Sequence, residues 1–147
     1  MMTAHFTDDY GHLISWAYSS DPALVDTWHV HSGRGLEACI QKTMDDLVGM
    51  DTLQFFVVEE DGNHIGYFGH EYGGRYMPTI FIHPLFRDRK EEFWKLIEEK
   101  MRPEWKAGCF TKNAPCVKFY AKRGQPLGVT KSKEGDIALF SFERKGG

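Results

Sequence analysis

The sequence contains few cysteines, and those present have no recurrent spacing. Cys39, Cys109 and Cys116 are odd in number and form no C-x-x-C pair. A disulfide framework and a four-cysteine zinc site both need cysteines in pairs at defined spacings, so the pattern suggests neither. We expect the thiols to stay reduced, as they do in the cytoplasm. Cys116 is a poor candidate for a nucleophile, because no histidine lies near it in the sequence, and we expect it to be buried.

Long apolar runs and an excess of positive charge are also missing. The longest apolar runs, LQFFVV and IALF, are far shorter than the roughly 20 residues of a membrane-spanning helix, and no basic-then-apolar leader begins the chain. The formal net charge of -3 argues against a surface that coats nucleic acid. One local feature, the basic and aromatic mix VKFYAKR, keeps a small nucleic-acid module as a minor alternative. We expect a soluble, cytoplasmic protein without a membrane segment.

The remaining composition is that of an ordinary packed domain. The chain has 147 residues, of which 41% are hydrophobic and 14% aromatic. A chain of this length can bury enough apolar surface to be stable without disulfides or a metal. Neither a linker rich in Pro, Gly or Ser nor an internal repeat divides it. The sequence therefore predicts one domain over residues 1–147.

Hydrophobic periodicity predicts the element order β, α, α, β, β, β, α, β, α, β, β. The Asp-Gly step at residues 61–62 is a strong hairpin signal between two apolar runs. The predicted elements are a strand at 3–6, helices after 7–9 and over 35–50, two strands within 53–72, a strand at 76–84, a helix ending near 103, a strand at 104–112, a helix at 114–124 and a hairpin within 126–144.

Two local motifs carry more information than the periodicity. NAPCVKFYAKRGQ, residues 113–125, places Asn113 and Tyr120 seven positions apart, where a strand leads into a short helix. IHPLFRDRKEE, residues 82–92, runs from a strand through a His-Pro turn, an aromatic residue and an arginine into a helix. Together with the element order, these motifs resemble the GNAT superfamily of acyl-CoA-dependent N-acetyltransferases over most of the chain.

The resemblance implies both a fold and a reaction. The fold is α/β (α+β), a single GNAT-like domain with a mixed, mostly antiparallel sheet of about six or seven strands flanked by about four helices. The implied cosubstrate is acetyl-CoA, bound between two central parallel strands. The implied acceptor is an amine, carried by a small molecule or a protein.

Catalytic residues are transferred from the resemblance to matching positions. Tyr120 is expected to return a proton to the leaving thiolate, a role suited to a phenol with a pKa near 10. Its alternative role is to pack a short amphipathic helix. For the base, His70 and Glu71 form the best-placed titratable pair, at the end of the strand beside the expected acceptor cleft. Their alternative role is that of a solvated pair at the rim.

Cofactor-binding residues follow from the same two motifs. Ile80, Phe81 and Ile82 are expected to contact pantetheine through backbone atoms, and Asn113 to contact pantetheine or fix the turn at the strand end. The pyrophosphate is expected at the start of the following helix, where free N–H groups and the positive end of the dipole attract anions. The cations that would assist there are Arg87, Arg89 and Lys90.

The helix start lacks the glycines of the resembled family. Asp88 and Glu91 have the three-residue spacing of a capping box, which would satisfy the helix N–H groups internally. In that case the anion site is occupied by the protein itself. The second hypothesis is therefore a catalytically weak or inactive GNAT-like protein-binding or head-assembly module. It resembles bacteriophage-encoded proteins through the helix FWKLIEEKM and the Lys-Gly-Gly end, and its implied partners are virion proteins.

A metal site is not predicted. His29 and His31 form an H-x-H motif, and His5 and His12 lie nearer the N-terminus. Zinc requires further ligands at defined spacing, which the sequence does not supply. We expect the aromatic loop at 28–35 to line the acceptor side of the cleft or to pack on the sheet.

Overall fold

A computed structural model of the chain describes residues 1–24, 36–132 and 135–144. The order of its elements confirms the predicted order. The loop at 28–35, with His29 and His31, lies outside the described residues. The elements are β1 (Thr3–Thr7), α1 (Tyr10–Ser20), α2 (Leu36–Val48), β2 (Gln54–Glu60), β3 (Asn63–Glu71), β4 (Tyr76–Ile82), a 3₁₀ turn (Pro84–Arg89), α3 (Lys90–Lys100), β5 (Glu104–Phe110), α4 (Ala114–Ala121), β6 (Gln125–Ser132) and β7 (Gly135–Glu143).

The strands form one mixed sheet in the order β1-β2-β3-β4-β5-β7-β6. All neighbouring pairs are antiparallel except β4 and β5, which run parallel. The predicted hairpin between β2 and β3 turns at Asp61 and Gly62, whose φ angles are +52° and +80°. Positive φ at both positions is what a type I′ turn requires, and it matches the twist of the two strands. The predicted α/β fold with a mostly antiparallel sheet is confirmed.

The two central parallel strands separate soon after they meet. The pairs Tyr76 with Lys106 and Met77 with Ala107 join β4 to β5. The next residue of β4 is Pro78, which has no N–H to donate to a neighbouring strand. The strands diverge beyond it, and a cleft opens between them in the middle of the sheet.

Hydrophobic side chains cover both faces of the sheet. On one face α1 and α2 pack over β2 and β3, with Ile14, Phe55 and Tyr67 at the centre. On the other face α3 and α4 pack over strands from both halves of the sheet, and Phe93 and Trp94 are buried there. None of the described helices has the length and apolar character needed to cross a membrane.

Candidate active site

Two adjoining cavities follow the open edge of β4, the first between β4 and β5 and the second between β4 and α4. We call the first, of about 240 Å³, the tyrosine cavity, because Tyr76 and Tyr120 line it. We call the second, of about 300 Å³, the arginine cavity, because Arg87 lines it. Ile80, Asn113 and Cys116 line both. The cavities therefore meet along the open edge of β4 and form one continuous cleft.

Tyr120 lies at the base of the tyrosine cavity and is fully buried. Rings of Trp94, Phe140 and Phe142 surround its own ring, with centroid distances of 6.5, 5.7 and 5.6 Å. Its hydroxyl has no hydrogen-bond partner among the described residues. Burial, with a smaller contribution from the nearby Cys116 thiol, raises the pKa of Tyr120 well above its usual value. The phenol is therefore protonated at neutral pH.

Asn113 fixes the entry into α4, one of the two roles predicted for it. Its side-chain oxygen accepts a hydrogen bond from the Cys116 N–H at 3.3 Å, which caps the helix. Pro115 stands in the first turn, where its missing N–H costs no intrahelical bond. The cap and the proline set the position of the helix that carries Tyr120.

The structure separates the two residues that the sequence prediction paired as a base. Glu71 lines the tyrosine cavity. His70 is buried against Phe56, with ring centroids 5.1 Å apart, and lines neither cavity. Consecutive residues of a strand point to opposite faces of the sheet, so the two side chains diverge. Of the pair, Glu71 is the one with access to the cleft.

Burial lowers the pKa of His70, and the positive charge of Lys100 acts in the same direction. A histidine whose folded pKa lies below the unfolded value of 6.5 stabilises the fold above that pH, and this contribution is lost as the pH falls through the folded pKa. We expect His70→Phe, which keeps a ring against Phe56, to flatten the loss of stability below pH 6.5.

Urea unfolding of wild type and variant at a series of pH values tests this expectation. His5→Phe is the matched control, because His5 lies exposed on the edge strand β1. The control is expected to follow the wild-type profile. Parallel profiles for wild type and His70→Phe would show that His70 does not contribute to acid sensitivity.

A second carboxylate in the tyrosine cavity was missed by the sequence analysis. Asp46, on the last turns of α2, lines the cavity together with Glu71. It forms an ion pair with Lys42 one turn earlier, at 2.9 Å. No local pattern marks Asp46, because its position depends on how α2 packs against the sheet. The two carboxylates make this end of the cleft attractive to a cation.

The three predicted phosphate-binding cations occupy different surroundings. Arg87 and Lys90 line the arginine cavity. The Arg87 guanidinium donates to the Asp21 carboxylate at 2.7 Å and to the Ile82 carbonyl at 3.1 Å. Within the described part of the chain, no ion pair is formed by Lys90. Both cations therefore stand at the outer end of the cleft.

Arg89 is directed away from the cleft. Its guanidinium binds both oxygens of Glu60 at 2.5 Å and contacts Glu92 at 2.9 Å. These bonds hold the pKa of the Glu60 carboxyl below its usual value and raise that of Arg89. Arg89 lines neither cavity, and its contacts fasten the start of α3 to the end of β2.

The capping box predicted for α3 is not formed. The N-cap residue is Arg89 and makes no side-chain cap bond, whereas Asp88 is exposed. Glu91 instead pairs with Arg123, and the His83 ring accepts from the Leu85 N–H at 3.1 Å. The prediction failed because a 3₁₀ turn separates β4 from α3 and moves the helix start by one residue. No carboxylate therefore occupies the N-terminus of α3 as a cap.

The predicted backbone residues of β4 lie along the cleft. Ile80 lines both cavities, and Phe81 and Ile82 line the arginine cavity. On one side this strand pairs with β3 as far as Ile82. On the other side its pairing with β5 ends at Met77. The backbone of β4 beyond Pro78 is thus left without a neighbouring strand on the cleft side.

Two cysteines face the tyrosine cavity. Cys109 near the end of β5 and Cys116 in the first turn of α4 both line it, and their thiols are close enough to shift each other's pKa. Cys116 is half-buried, not fully buried as the sequence predicted, because it borders the cleft. In the described residues, no group of three His, Cys, Asp or Glu side chains is placed to hold a metal ion.

Comparisons with known proteins give a fold and no closer relationship. No family model and no curated protein sequence matches the chain. A probable acetyltransferase of the GNAT family from Chromobacterium violaceum superposes with a TM-score of 0.68 over 97% of this chain and 87% of its own, at 16% identity. AAC(6')-Ib in complex with ribostamycin and coenzyme A gives a TM-score of 0.68 over 98% and 94%, at 11% identity.

A third similar structure acts on a protein. The acetyl transferase from Salmonella typhimurium that modifies the N-terminal serine of 50S ribosomal subunit protein L7/L12 gives a TM-score of 0.66. The match covers 98% of this chain and 95% of that chain, at 8% identity. At such identities the likeness establishes the architecture alone. The chain has the fold of the GNAT acetyltransferases.

Proposed function

We propose that the protein is an acyl-CoA-dependent N-acyltransferase that moves an acetyl group from acetyl-CoA to an amine. The observation that carries the proposal is a fully buried phenol without a hydrogen-bond partner, that of Tyr120, in the wall of a cleft between diverging parallel strands. A buried hydroxyl left unpaired costs stability, and because Tyr120 lines the cleft, a ligand bound there can supply the missing partner.

The cleft fits the chemistry of acetyl-CoA along its length. The open edge of β4 at Ile80 and Ile82 offers backbone groups to the amides of pantetheine. The uncapped start of α3 and the two cations Arg87 and Lys90 suit the pyrophosphate. When bound, acetyl-CoA supplies an acyl group activated as a thioester.

Two side chains of the tyrosine cavity act as the general base and the general acid of the transfer. The Glu71 carboxylate accepts the proton that the acceptor amine loses. Tyr120 is protonated at neutral pH, as a phenol ordinarily is, and donates its proton to the leaving sulfur. Asp46 and Glu71 together favour an acceptor that is positively charged before it reacts. The substrate class is therefore a cationic amine.

A titration with acetyl-CoA and with free coenzyme A tests the proposal. A ligand at about 100 times its Kd adds roughly 2.7 kcal/mol to the free energy of unfolding. A domain of this size then shows a Tm rise of several degrees. We expect the rise in wild type and its loss in the double variant Arg87→Ala/Lys90→Ala. Isothermal calorimetry gives the corresponding Kd values.

Arg89→Ala is the matched control, because it removes a cation of the same turn that faces Glu60 and not the cleft. It is expected to lower the Tm of the free protein and to leave the Kd for acetyl-CoA unchanged. Absence of any shift in wild type at millimolar ligand would rule out acetyl-CoA as the cosubstrate. Equal losses of affinity in both variants would remove the assigned pyrophosphate position.

A second candidate is a GNAT-like binding module that does not use the cofactor, with partners such as phage virion proteins. One observation favours it: the carboxylates of Asp21 and Glu60 already neutralise Arg87 and Arg89. The same titration separates the two functions. A module of this kind associates with its protein partners in the absence of acyl-CoA and shows no thermal shift with it.

A further inference from the structure

The two cysteines of the tyrosine cavity form a site that the acyl transfer does not use. Cys109 belongs to β5, and Cys116 to the helix that begins four residues after that strand ends. The connection places the two thiols in the lining of one cavity, near enough to shift each other's pKa. Cys116 also lies where the two cavities meet. The pair can therefore be reached through the cleft by a ligand that carries sulfur.

The two thiols differ in their readiness to ionise. The neighbouring Cys116 thiol lowers the pKa of Cys109, whereas the interaction with Cys109 and, second, burial raise the pKa of Cys116 well above its usual value. A thiolate attacks a disulfide and a thiol does not. The third cysteine, Cys39, is buried in α2 on the other core and lines neither cavity. Reactivity is thus expected first at Cys109, with Cys116 beside it as a second thiol.

We propose that Cys109 and Cys116 are a redox-active dithiol that exchanges with small-molecule disulfides entering the cleft, with coenzyme A disulfide as the preferred one. The preference for coenzyme A rests on the proposed function, because it requires the cleft to bind that group. The dithiol itself rests on the cavity, on the placement of the two sulfurs and on their proximity.

The exchange proceeds in two steps, and its atoms balance. The Cys109 thiolate attacks one sulfur of the disulfide, forms a mixed disulfide and releases one thiolate, which takes up a proton. Cys116 then loses its proton and attacks the Cys109 sulfur. The second small thiol leaves, and a bond between Cys109 and Cys116 remains. The protein is oxidised by two electrons, and the small disulfide is reduced to two thiols.

Oxidation is expected to close the site to acyl-CoA. A mixed disulfide at Cys109 fills the cavity that Tyr120 lines. The internal disulfide joins β5 to the first turn of α4, at the junction that a ligand must cross between the two cavities. The dithiol therefore acts as a regulatory switch that turns acyl-CoA binding off under disulfide stress.

Intact mass spectrometry with peptide mapping tests the dithiol without reference to turnover. Reduced wild type treated with oxidised glutathione is expected to lose two hydrogen atoms and to yield a peptide linked through Cys109 and Cys116. Cys116→Ser is expected to stop at a stable glutathione adduct on Cys109. The rate of reaction of Cys109→Ser is expected to be lower than that of wild type by a factor of about ten or more, because Cys116 stays protonated. Cys39 is expected to remain free in all three proteins.

Coenzyme A disulfide in place of oxidised glutathione tests the preference. Binding in the cleft makes the attack of Cys109 on coenzyme A disulfide intramolecular. We therefore expect this disulfide to react faster than oxidised glutathione by a factor of about ten or more. The acetyl-CoA thermal shift is expected to vanish in the oxidised protein and to return after reduction with dithiothreitol. Equal rates for the two disulfides would overturn the preference for coenzyme A.

The outcomes separate this inference from the function on which it partly rests. A link between Cys109 and Cys116 in a protein that does not bind acetyl-CoA would keep the dithiol and remove the acyltransferase. Acetyl-CoA binding without any such link, and without an adduct in Cys116→Ser, would overturn the dithiol and keep the acyltransferase. A link that involves Cys39 would also overturn it.

Discussion

Tyr120→Phe is expected to lower kcat about 100-fold or more, because general acids contribute on that scale, and to leave the folded chain at least as stable as wild type. The variant keeps the ring that packs against Phe140 and Phe142 and removes only the hydroxyl. That hydroxyl has no partner among the described residues, so its removal abolishes a desolvation cost. Steady-state kinetics and urea unfolding measure the two effects separately.

Tyr67→Phe is the matched control for Tyr120→Phe. Tyr67 is also fully buried, and its hydroxyl likewise has no partner among the described residues. It packs with Phe55 and Phe81 on the other face of the sheet and lines neither cavity. The two variants are expected to agree in stability and to differ in kcat. A kcat for Tyr120→Phe equal to that of wild type would exclude the phenol from the reaction.

Trp94→Ala is expected to lower the free energy of unfolding by about 3–5 kcal/mol, a large part of the stability of a domain this size. The indole packs against Trp105 at 5.1 Å and Phe142 at 5.1 Å, and the Arg123 guanidinium lies 5.5 Å from its centre. Removing it leaves a cavity between α3 and the second half of the sheet. Equilibrium denaturation in urea measures the change.

Two further variants bracket the expected loss at Trp94. Trp94→Phe keeps an aromatic ring and is expected to recover part of the stability. Phe6→Ala removes an aromatic ring from the edge strand β1, where it is 63% exposed, and is expected to cost less than about 1 kcal/mol. A cost for Trp94→Ala no larger than that for Phe6→Ala would mean that the core around α3 collapses onto the vacated space.

The features that the sequence predicted are those that depend on neighbours along the chain. The Asp61-Gly62 turn, the apolar face of α3 with Phe93 and Ile97, and the element order all follow from local spacing and turn chemistry. The placement of Tyr120 in a short helix after β5 follows in the same way. In these cases the packed structure and the local preference agree.

The features that it did not predict depend on residues far apart. The contacts of Arg87 with Asp21 and of Arg89 with Glu60 span 66 and 29 positions, and no spacing rule announces them. They decide which cation faces the cleft. The spacing at Asp88 is typical of a capping box, but the 3₁₀ turn before α3 makes Arg89 the N-cap residue instead. The two arginine contacts were set by tertiary packing, and the helix start was set by the turn directly before it.

The early separation of β4 from β5 also determines how the molecule opens. Two residue pairs join these strands, whereas seven join β5 to β7. Opening along this seam breaks few backbone hydrogen bonds, so the amide hydrogens that flank it exchange with solvent through a low-energy local opening. A ligand held in the seam contacts both halves of the sheet and works as a clamp. The affinity of such a ligand and the rigidity of the sheet then both depend on the equilibrium between the closed and the opened seam of β4 and β5.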